Sequence, residues 1–118
     1  MIVDDNAEFL GAARRLLERE GMDVVGVAST SAEAVRSVEE HEPDVVLVDV
    51  DLGAENGFDL AGRLSPSPGA GRRVVLISAH PEQDLEDLVK ASAAIGFISK
   101  MRLSANAIVE LLDRSELV

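Results

Sequence analysis

Five polar side chains stand at or just after the ends of short apolar runs, and their types suit the chemistry of a phosphoryl group. Asp4 and Asp5 follow the run that opens the chain, and Asp49 follows VVLV. Ser78 and Lys100 follow two later runs. Crowded carboxylates repel one another and stay ionised only when a cation binds them, while a hydroxyl and an ammonium would hold phosphoryl oxygens. The set therefore predicts acyl-phosphate chemistry on Asp49.

The same set predicts the metal that the site would take. Its candidate ligands are oxygen atoms, which suit a hard cation, and Mg²⁺ is the natural choice where phosphate takes part. The chain contains no cysteine. Disulfides, thiolate catalysis and Cys-ligated zinc are therefore excluded, and we expect Mg²⁺ as the cofactor.

Each of these residues also has an ordinary structural role. Aspartates after a short strand commonly cap a helix, which suits Asp4 and Asp5. Asp49 would serve equally well as the cap of a turn, and Lys100 would lie along the surface with its charge in water. Ser78 alone carries little information. The functional interpretation depends on the arrival of all of them at one edge of one sheet.

The elements that would position these residues follow in strict alternation. Short β-branched runs, at residues 1–4, 23–28, 45–48, 74–78 and 95–99, predict strands. Between and after them, apolar residues recur at helical spacing, which is typical of an α/β fold with a parallel sheet. The predicted inward faces are Leu10, Ala13 and Leu17; Ala34, Val35 and Val38; the helix 58–64; Leu85, Leu88 and Val89; and Ile108, Leu111 and Leu112. In such a sheet, ligands bind beyond the carboxyl ends of the strands, which is where the five polar residues fall.

Local signals mark several boundaries. Thr30 and Glu33 have the spacing of a capping box, Ser104 is a predicted helix cap, and Pro81 suits the first turn of the fourth helix. The segment SPSPGAGRR, residues 65–73, predicts a loop within one domain, because neither side of it would form a core alone. A chain of 118 residues has the length of one ordinary domain.

Net charge and hydrophobicity limit the classes of partner that we expect the domain to bind. The formal net charge is −11, so the domain as a whole repels nucleic acid and anionic membranes, and we expect it to bind neither directly. No apolar run approaches the roughly 20 residues that cross a bilayer, and no signal-peptide pattern opens the chain. We expect a soluble, cytoplasmic protein.

The whole chain resembles the receiver domain of bacterial two-component response regulators. The stretches that carry the resemblance are IVDDN, PDVVLVDVDLGAENGFDL, VVLISAHP and GFISK, in the family's order. It implies one flavodoxin-like domain over residues 1–118, with a doubly wound five-stranded parallel sheet in the order 2-1-3-4-5 and five flanking helices. It also implies a switch rather than an enzyme, in which a sensor histidine kinase or a phosphotransfer protein donates a phosphoryl group to Asp49. Any output domain would lie outside these residues.

The resemblance assigns metal ligands residue by residue. Asp5 and Asp49 resemble the direct Mg²⁺ ligands. The backbone carbonyl of Asp51 resembles a third ligand, and Asp4 one that acts through water. Gly53 departs from the pattern, since proline is usual there, and the loop after Asp49 should be looser for it.

The resemblance also assigns the phosphoryl contacts and the switch. Lys100 corresponds to the lysine that pairs with the phosphoryl oxygens, Ser78 to the switch hydroxyl, and Phe97 to the aromatic residue that turns inward on activation. Asp51 and His80 occupy the two positions that tune phosphoryl lifetime, although His80 would serve equally as a helix cap.

The predicted output surface is the face formed by helix 4, strand 5 and helix 5. Acidic residues and one lysine on helix 4 oppose two arginines across this face, and the full set is Glu82, Asp84, Glu86, Asp87, Lys90, Arg102 and Arg114. A homodimer through this face is a hypothesis that the charges suggest. Two further departures from the family, Asn56 for aspartate and Met101 for proline, flank the predicted site.

Two other functions fit part of the sequence. A phosphohydrolase of the haloacid dehalogenase type also opens with a motif like VLVDVDLG, but that family places the motif on its first strand and needs carboxylates well after the lysine. Here the strand is the third, and only a helix follows Lys100. The second alternative keeps the receiver fold and signals without phosphorylation, and retention of phosphate in the presence of Mg²⁺ would separate the two receiver functions.

Overall fold

The computed structural model describes residues 1–53, 55–64, 72–79 and 85–116. The strands are β1 (Ile2–Val3), β2 (Val27–Ala28), β3 (Val45–Asp49), β4 (Asp51–Leu52), β5 (Glu55–Asn56), β6 (Arg73–Ser78) and β7 (Gly96–Ser99). The α-helices are α1 (Ala7–Arg19), α2 (Ser31–His41), α3 (Gly57–Leu64), α4 (Glu86–Ala91) and α5 (Ala105–Glu116), and a 3₁₀ turn covers Lys100–Arg102. None of the helices described has the length and apolar composition of a membrane span.

Five of the strands form one parallel sheet in the order β2-β1-β3-β6-β7. Counted among themselves, these strands have the order 2-1-3-4-5, which confirms the predicted doubly wound topology. The other two, β4 and β5, pair as an antiparallel hairpin directly after β3. The sequence predicts only a glycine-containing loop there, because two-residue strands leave almost no period-2 pattern to detect.

The core has two layers, one on each face of the sheet. Val46, Val48 and Leu76 point into the layer that α2, α3 and α4 cover. Leu47, Val75 and Ile77 point into the layer that α1 and α5 cover. Successive residues of a strand face opposite sides, so a central strand covered on both faces needs a continuous apolar run, which is what residues 45–48 supply.

Several predicted helix ends are confirmed, and one alternative is wrong. Thr30 Oγ1 accepts from the Glu33 N–H at 3.1 Å, and Ser104 Oγ accepts from the Ala107 N–H at 3.0 Å. The cap of α1, however, is Asn6, whose Oδ1 accepts from two N–H groups of the first turn. Neither Asp4 nor Asp5 caps the helix, so the ordinary structural role proposed for the acidic pair does not apply.

Two other predictions need correction. The second strand covers Val27–Ala28 and not 23–28, because its neighbour β1 offers only two pairing partners. Leu88 was expected to face inward but is 53% exposed. The short helix α4 packs on the core through Val89, with Leu85 packed just before its start, and Leu88 lies about a quarter-turn from Val89. The predicted loop segment 65–71, His80 and Pro81 lie outside the described residues.

Candidate functional site

The register of the sheet brings the acidic strand ends to one edge. Val3 pairs with Val48, so Asp4 follows β1 at the level where Asp49 ends β3. Asp49 in turn pairs with Ile77, and Ser78 is the next residue of β6. Because parallel strands share one direction, residues far apart in the chain meet at the carboxyl edge.

An acidic cluster forms at this edge. One carboxylate oxygen from each of Asp4, Asp5 and Asp49 lies within 4.8 Å of the others. Asp4 is fully buried and Asp49 is 4% exposed, whereas Asp5 faces solvent. Three hard oxygen donors at such distances, with one open to solvent, fit a divalent cation such as Mg²⁺. The predicted ligand side chains are therefore compatible with the metal.

Lys100 places an ammonium group against two of these carboxylates. Its Nζ lies 3.1 Å from Asp49 Oδ2, as a hydrogen bond, and 2.7 Å from Asp4 Oδ2. The contact with Asp4 is an ion pair without the alignment of a hydrogen bond. Burial lowers the pKa of Lys100, but the contacts with Asp4 and Asp49 outweigh it, so that the pKa is raised above its ordinary value. The ammonium therefore stays charged at neutral pH.

The site also changes the pKa of Asp49. Burial raises its pKa from 3.8 to about 6, and the nearby Asp4 charge adds to the rise. The backbone N–H of Asp51, at 3.1 Å from Asp49 Oδ1, and the Lys100 ammonium act in the opposite direction. A carboxylate kept out of water next to another carboxylate costs stability, and this is a common feature of functional sites.

The hairpin of β4 and β5 forms the loop that follows Asp49. Gly53 lies at its turn with φ +65, a left-handed conformation that glycine adopts readily. The turn therefore favours glycine and excludes proline, whose ring fixes φ at about −65°, so the departure from proline has a local reason. Asp51 opens the hairpin and is exposed, with its N–H on Asp49. This contact keeps the start of the hairpin beside Asp49.

Asn56 precedes α3 and Gly57 starts it, directly against the end of β3. A Cβ on Gly57 would lie 2.0 Å from the Asp49 carbonyl oxygen, so only glycine fits there. Asn56 Oδ1 accepts from the Phe58 N–H at 2.7 Å. The asparagine thus performs the capping that an aspartate would perform, and its departure from the family pattern has no structural cost that the contacts reveal.

Ser78 and Phe97 lie deeper in the same edge. Ser78 ends β6 and is fully buried, with Ser99 of β7 as its register partner. Phe97 is 8% exposed, pairs with Leu76 in register, and packs in the core layer under α4. Its ring is therefore in the inward position.

Two contacts at the site are not evident from the sequence. The Lys100 ammonium lies 4.4 Å from the centroid of the Phe9 ring on α1. On the other side, Glu55 of the hairpin accepts from the N–H of Ser31, the first residue of α2, at 3.0 Å. An aromatic residue in the first turn of a helix would be the only signal for the first contact. We see no sequence signal for the second.

Comparisons with known proteins agree with this architecture. The family described as response regulator receiver domain matches residues 1–113. Response regulator UvrY of Escherichia coli K12 is 31% identical over 101 residues, which cover 85% of this chain and 46% of that protein. Transcriptional regulatory protein PdtaR of Mycobacterium tuberculosis H37Rv is 29% identical over 100 residues, which cover 85% and 48%. The chain thus spans about half the length of these curated relatives.

Solved structures show the same fold. The signal receiver domain of the response regulator NarL from Mycobacterium tuberculosis has a TM-score of 0.79 at 30% identity, covering 98% of this chain and 93% of that one. A CheY-like receiver domain from Methanospirillum hungatei JF-1 has a TM-score of 0.76 at 21% identity, covering 97% and 89%. Because the family match runs from residue 1 to residue 113 of 118, the chain belongs to the response regulator receiver domains of two-component systems.

Proposed function

We propose that this receiver domain is a phosphorylation switch in which Asp49 accepts a phosphoryl group. The donor is the phosphohistidine of a sensor histidine kinase or of a phosphotransfer protein, and Mg²⁺ is the cofactor. The domain acts as a signalling switch whose only chemistry is on itself, namely phosphoryl uptake and loss. Its output passes through the face of α4, β7 and α5 to an output domain or partner protein.

The observation that carries the proposal is the pairing of one ammonium with several carboxylates. Lys100 contacts both Asp4 and Asp49, and Asp5 lies beside them. A structural ion pair needs one carboxylate only, and the additional buried charge raises the pKa of Asp49 at a cost to stability. Such a cost is expected where a cation and a phosphoryl group are to be bound.

In the transfer step, a carboxylate oxygen of Asp49 attacks the phosphorus atom. The P–N bond of the phosphohistidine breaks, and its electron pair returns to the imidazole as an acyl phosphate forms. The Lys100 ammonium, already at 3.1 Å from Asp49 Oδ2, is placed to stabilise the added negative charge. Side chains of Asp5 and Asp49, the carbonyl of Asp51, and Asp4 through water would hold Mg²⁺. When bound, the metal neutralises phosphoryl oxygens.

The switch follows from the position of Ser78. Phosphorylation adds close to two negative charges and three acceptor oxygens. The Ser78 hydroxyl lies one residue past the register partner of Asp49, so a movement toward the phosphoryl group changes the space beside Phe97. Inverting a 1:99 population takes roughly 5.5 kcal/mol, which a few charge-assisted hydrogen bonds supply.

Two residues are proposed to tune the lifetime of the acyl phosphate. Asp51 is exposed two residues after Asp49, where its carboxylate would repel an attacking anion. His80, two residues after Ser78, is the other proposed tuning position.

The test is a mass measurement. The parent protein, Asp49→Asn and the exposed control Asp44→Asn are incubated with Mg²⁺ and acetyl phosphate, and intact masses are recorded. We expect one phosphoryl adduct on the parent and on Asp44→Asn, and none on Asp49→Asn. Omission of Mg²⁺ should abolish the adduct. A folded parent that binds Mg²⁺ but takes no phosphoryl group would instead support the phosphorylation-independent interaction module.

A further inference from the structure

Phe9 presents its ring to the ammonium that the proposed function uses. The Lys100 Nζ lies 4.4 Å from the ring centroid, within the range of roughly 6 Å in which a cation is attracted to an aromatic face. The same ammonium contacts Asp4 and Asp49. The lysine side chain is 18% exposed, so this attraction acts in a partly desolvated setting. Lys100 is thus held by groups from three separate elements.

Hydrogen bonds at the start of α1 fix the backbone of Phe9. Asn6 Oδ1 accepts from the Phe9 N–H at 3.2 Å and from the Glu8 N–H at 3.0 Å, which fixes the first turn of α1. The Asn6 N–H in turn donates to Asp4 Oδ1 at 2.8 Å. One continuous set of hydrogen bonds therefore runs from the buried carboxylate of Asp4 to the backbone of Phe9. The ring and the carboxylate are positioned together.

The Phe9 ring contacts the ammonium without also being a ligand for the metal. Asp4 and Asp49 would also serve the metal, directly or through water, so their oxygens are shared between the cation and the ammonium. The face of an aromatic ring is no ligand for Mg²⁺, which takes hard oxygen donors. Contact with Phe9 would therefore remain available to the ammonium when the carboxylate oxygens hold the metal. Without it, the flexible four-carbon stem of the lysine would let the ammonium turn into water.

We propose that Phe9 is a positioning residue that holds the Lys100 ammonium over the acidic cluster through a cation–π contact during phosphoryl transfer. This inference rests on the proposed function. Phe9 also packs partly against the core layer under α1 and α5. Any apolar side chain of similar volume meets that packing need, whereas only a ring with a negative face meets the electrostatic one.

The experiment replaces the ring while keeping its shape. Phe9 is replaced by cyclohexylalanine and by phenylalanines carrying one, two or three fluorine atoms, which weaken the cation–π attraction stepwise. The initial rate of Asp49 phosphorylation by acetyl phosphate is measured by intact mass at saturating Mg²⁺. We expect the rate to fall with each fluorine, reaching roughly 2- to 10-fold below the parent with cyclohexylalanine. Phe9→Trp should retain the parent rate.

A matched control and a spectroscopic signal accompany the rates. Phe58 is also half-buried but packs in the other core layer, and the same fluorination there should leave the rate unchanged. The side-chain CH₂ protons of Lys100 should resonate upfield in the parent, because they lie near the ring, and should lose that shift with cyclohexylalanine. Circular dichroism verifies that each variant is folded.

The outcomes separate the two proposals. A flat fluorine series on a phosphorylated parent, or a cyclohexylalanine variant with the parent rate, would overturn the role of Phe9 alone. A parent that takes no phosphoryl group would overturn the proposed function and this role together. A graded fall with an unchanged control at Phe58 establishes the positioning role.

Discussion

The Asp49 carboxylate is the proposed phosphoryl acceptor, and its ionisation carries an electrostatic cost. Asp49 is 4% exposed and lies beside the fully buried Asp4. Burial raises the pKa of Asp49 to about 6. An acid whose pKa is higher in the folded than in the unfolded state binds its proton more tightly when folded. Its favourable contribution is therefore complete below the unfolded value of 3.8 and is lost as the pH rises through about 6.

Asp49→Asn should accordingly stabilise the metal-free protein above pH 6. The pKa shift corresponds to about 1–2 kcal/mol once solvent screening is taken into account. Urea unfolding in EDTA at pH 7.5 and at pH 4 measures the gain in stability, which should be present at pH 7.5 and mostly lost at pH 4, close to the unfolded pKa of 3.8. Asp44→Asn controls for the loss of one acidic charge. Equal effects of Asp49→Asn at both pH values would contradict the assigned cause.

Mg²⁺ should act in the same direction on the parent protein. A ligand that binds only the folded state raises the free energy of unfolding by RT ln(1 + [L]/Kd), or about 2.7 kcal/mol at a hundredfold excess over Kd. We expect this stabilisation to be strongly reduced in Asp49→Asn, since one proposed direct ligand is lost. Thermal unfolding with and without Mg²⁺ measures both proteins, and equal stabilisation of the two would place the metal elsewhere.

The hairpin and α3 connect the end of β3 to the rest of the fold. Gly57 begins α3 against the backbone of Asp49 and Val50, and its N–H donates to the Val50 carbonyl at 3.0 Å. Glu55 joins the hairpin to the first turn of α2. The loop after Asp49 is thus attached both to the end of β3 and to the start of α2.

Gly57→Ala should destabilise the fold. Its Cβ would lie 2.0 Å from a backbone oxygen, which forces the chain to shift at a cost of about 2 kcal/mol or more. Gly62→Ala on the same helix is the matched control. Its Cβ meets nothing within 4 Å, so it should stabilise by about 0.5–1 kcal/mol. Urea unfolding compares the two, and similar effects of both substitutions would be inconsistent with the close approach.

Glu55→Gln should weaken metal binding more than it weakens folding. The N–H and hydroxyl of Ser31 lower the pKa of Glu55, so the contact is present at neutral pH and is lost as the pH falls through that lowered pKa. The hairpin also carries the Asp51 carbonyl proposed as a ligand. We expect Mg²⁺ affinity to fall roughly 2- to 5-fold, below the effect usual for buried supporting contacts because Glu55 is exposed. Calorimetric titration measures it, with exposed Glu39→Gln as the control.

The face formed by α4, β7 and α5 carries a cleft and is the proposed output surface. A cleft of about 710 Å³ lies there, between Phe97, Val89 and Leu111 and beside Arg102 and Arg114. Glu86 and Lys90 pair with each other within α4 at 3.1 Å, so they are less available to a partner than the sequence suggests. We propose that a second copy docks on this face after phosphorylation.

A phosphoryl mimic should therefore increase the apparent mass of the domain. Beryllofluoride with Mg²⁺ is added, and size-exclusion chromatography with light scattering is run with and without it. Arg114→Glu should weaken self-association by roughly 2- to 5-fold, since exposed charge pairs contribute little each. Arg36→Glu on α2, at the opposite edge of the sheet, is the charge-matched control. An unchanged mass on mimicry would reject the dimer.

Much of this protein follows from local features of its chain. The alternation of apolar runs with helical periodicity predicts the sheet and its layers, because burial on one or both faces imposes a period that neighbouring residues display. The polar residues at strand ends predict an acidic edge with a hydroxyl and a lysine. These features need no knowledge of distant contacts, which is why Asp4, Asp49 and Lys100 stand out at once.

Other features depend on residues that meet only in the folded chain. The sequence shows a lysine and a phenylalanine, but their contact exists because α1 begins and β7 ends at the same sheet edge. In the same way, only the folded chain shows that Asn6 caps α1 while Asp4 contacts Lys100. The exposure of Leu88 depends on how little of α4 reaches the core. Such contacts join positions far apart in sequence, and no local period or propensity encodes the distance between them.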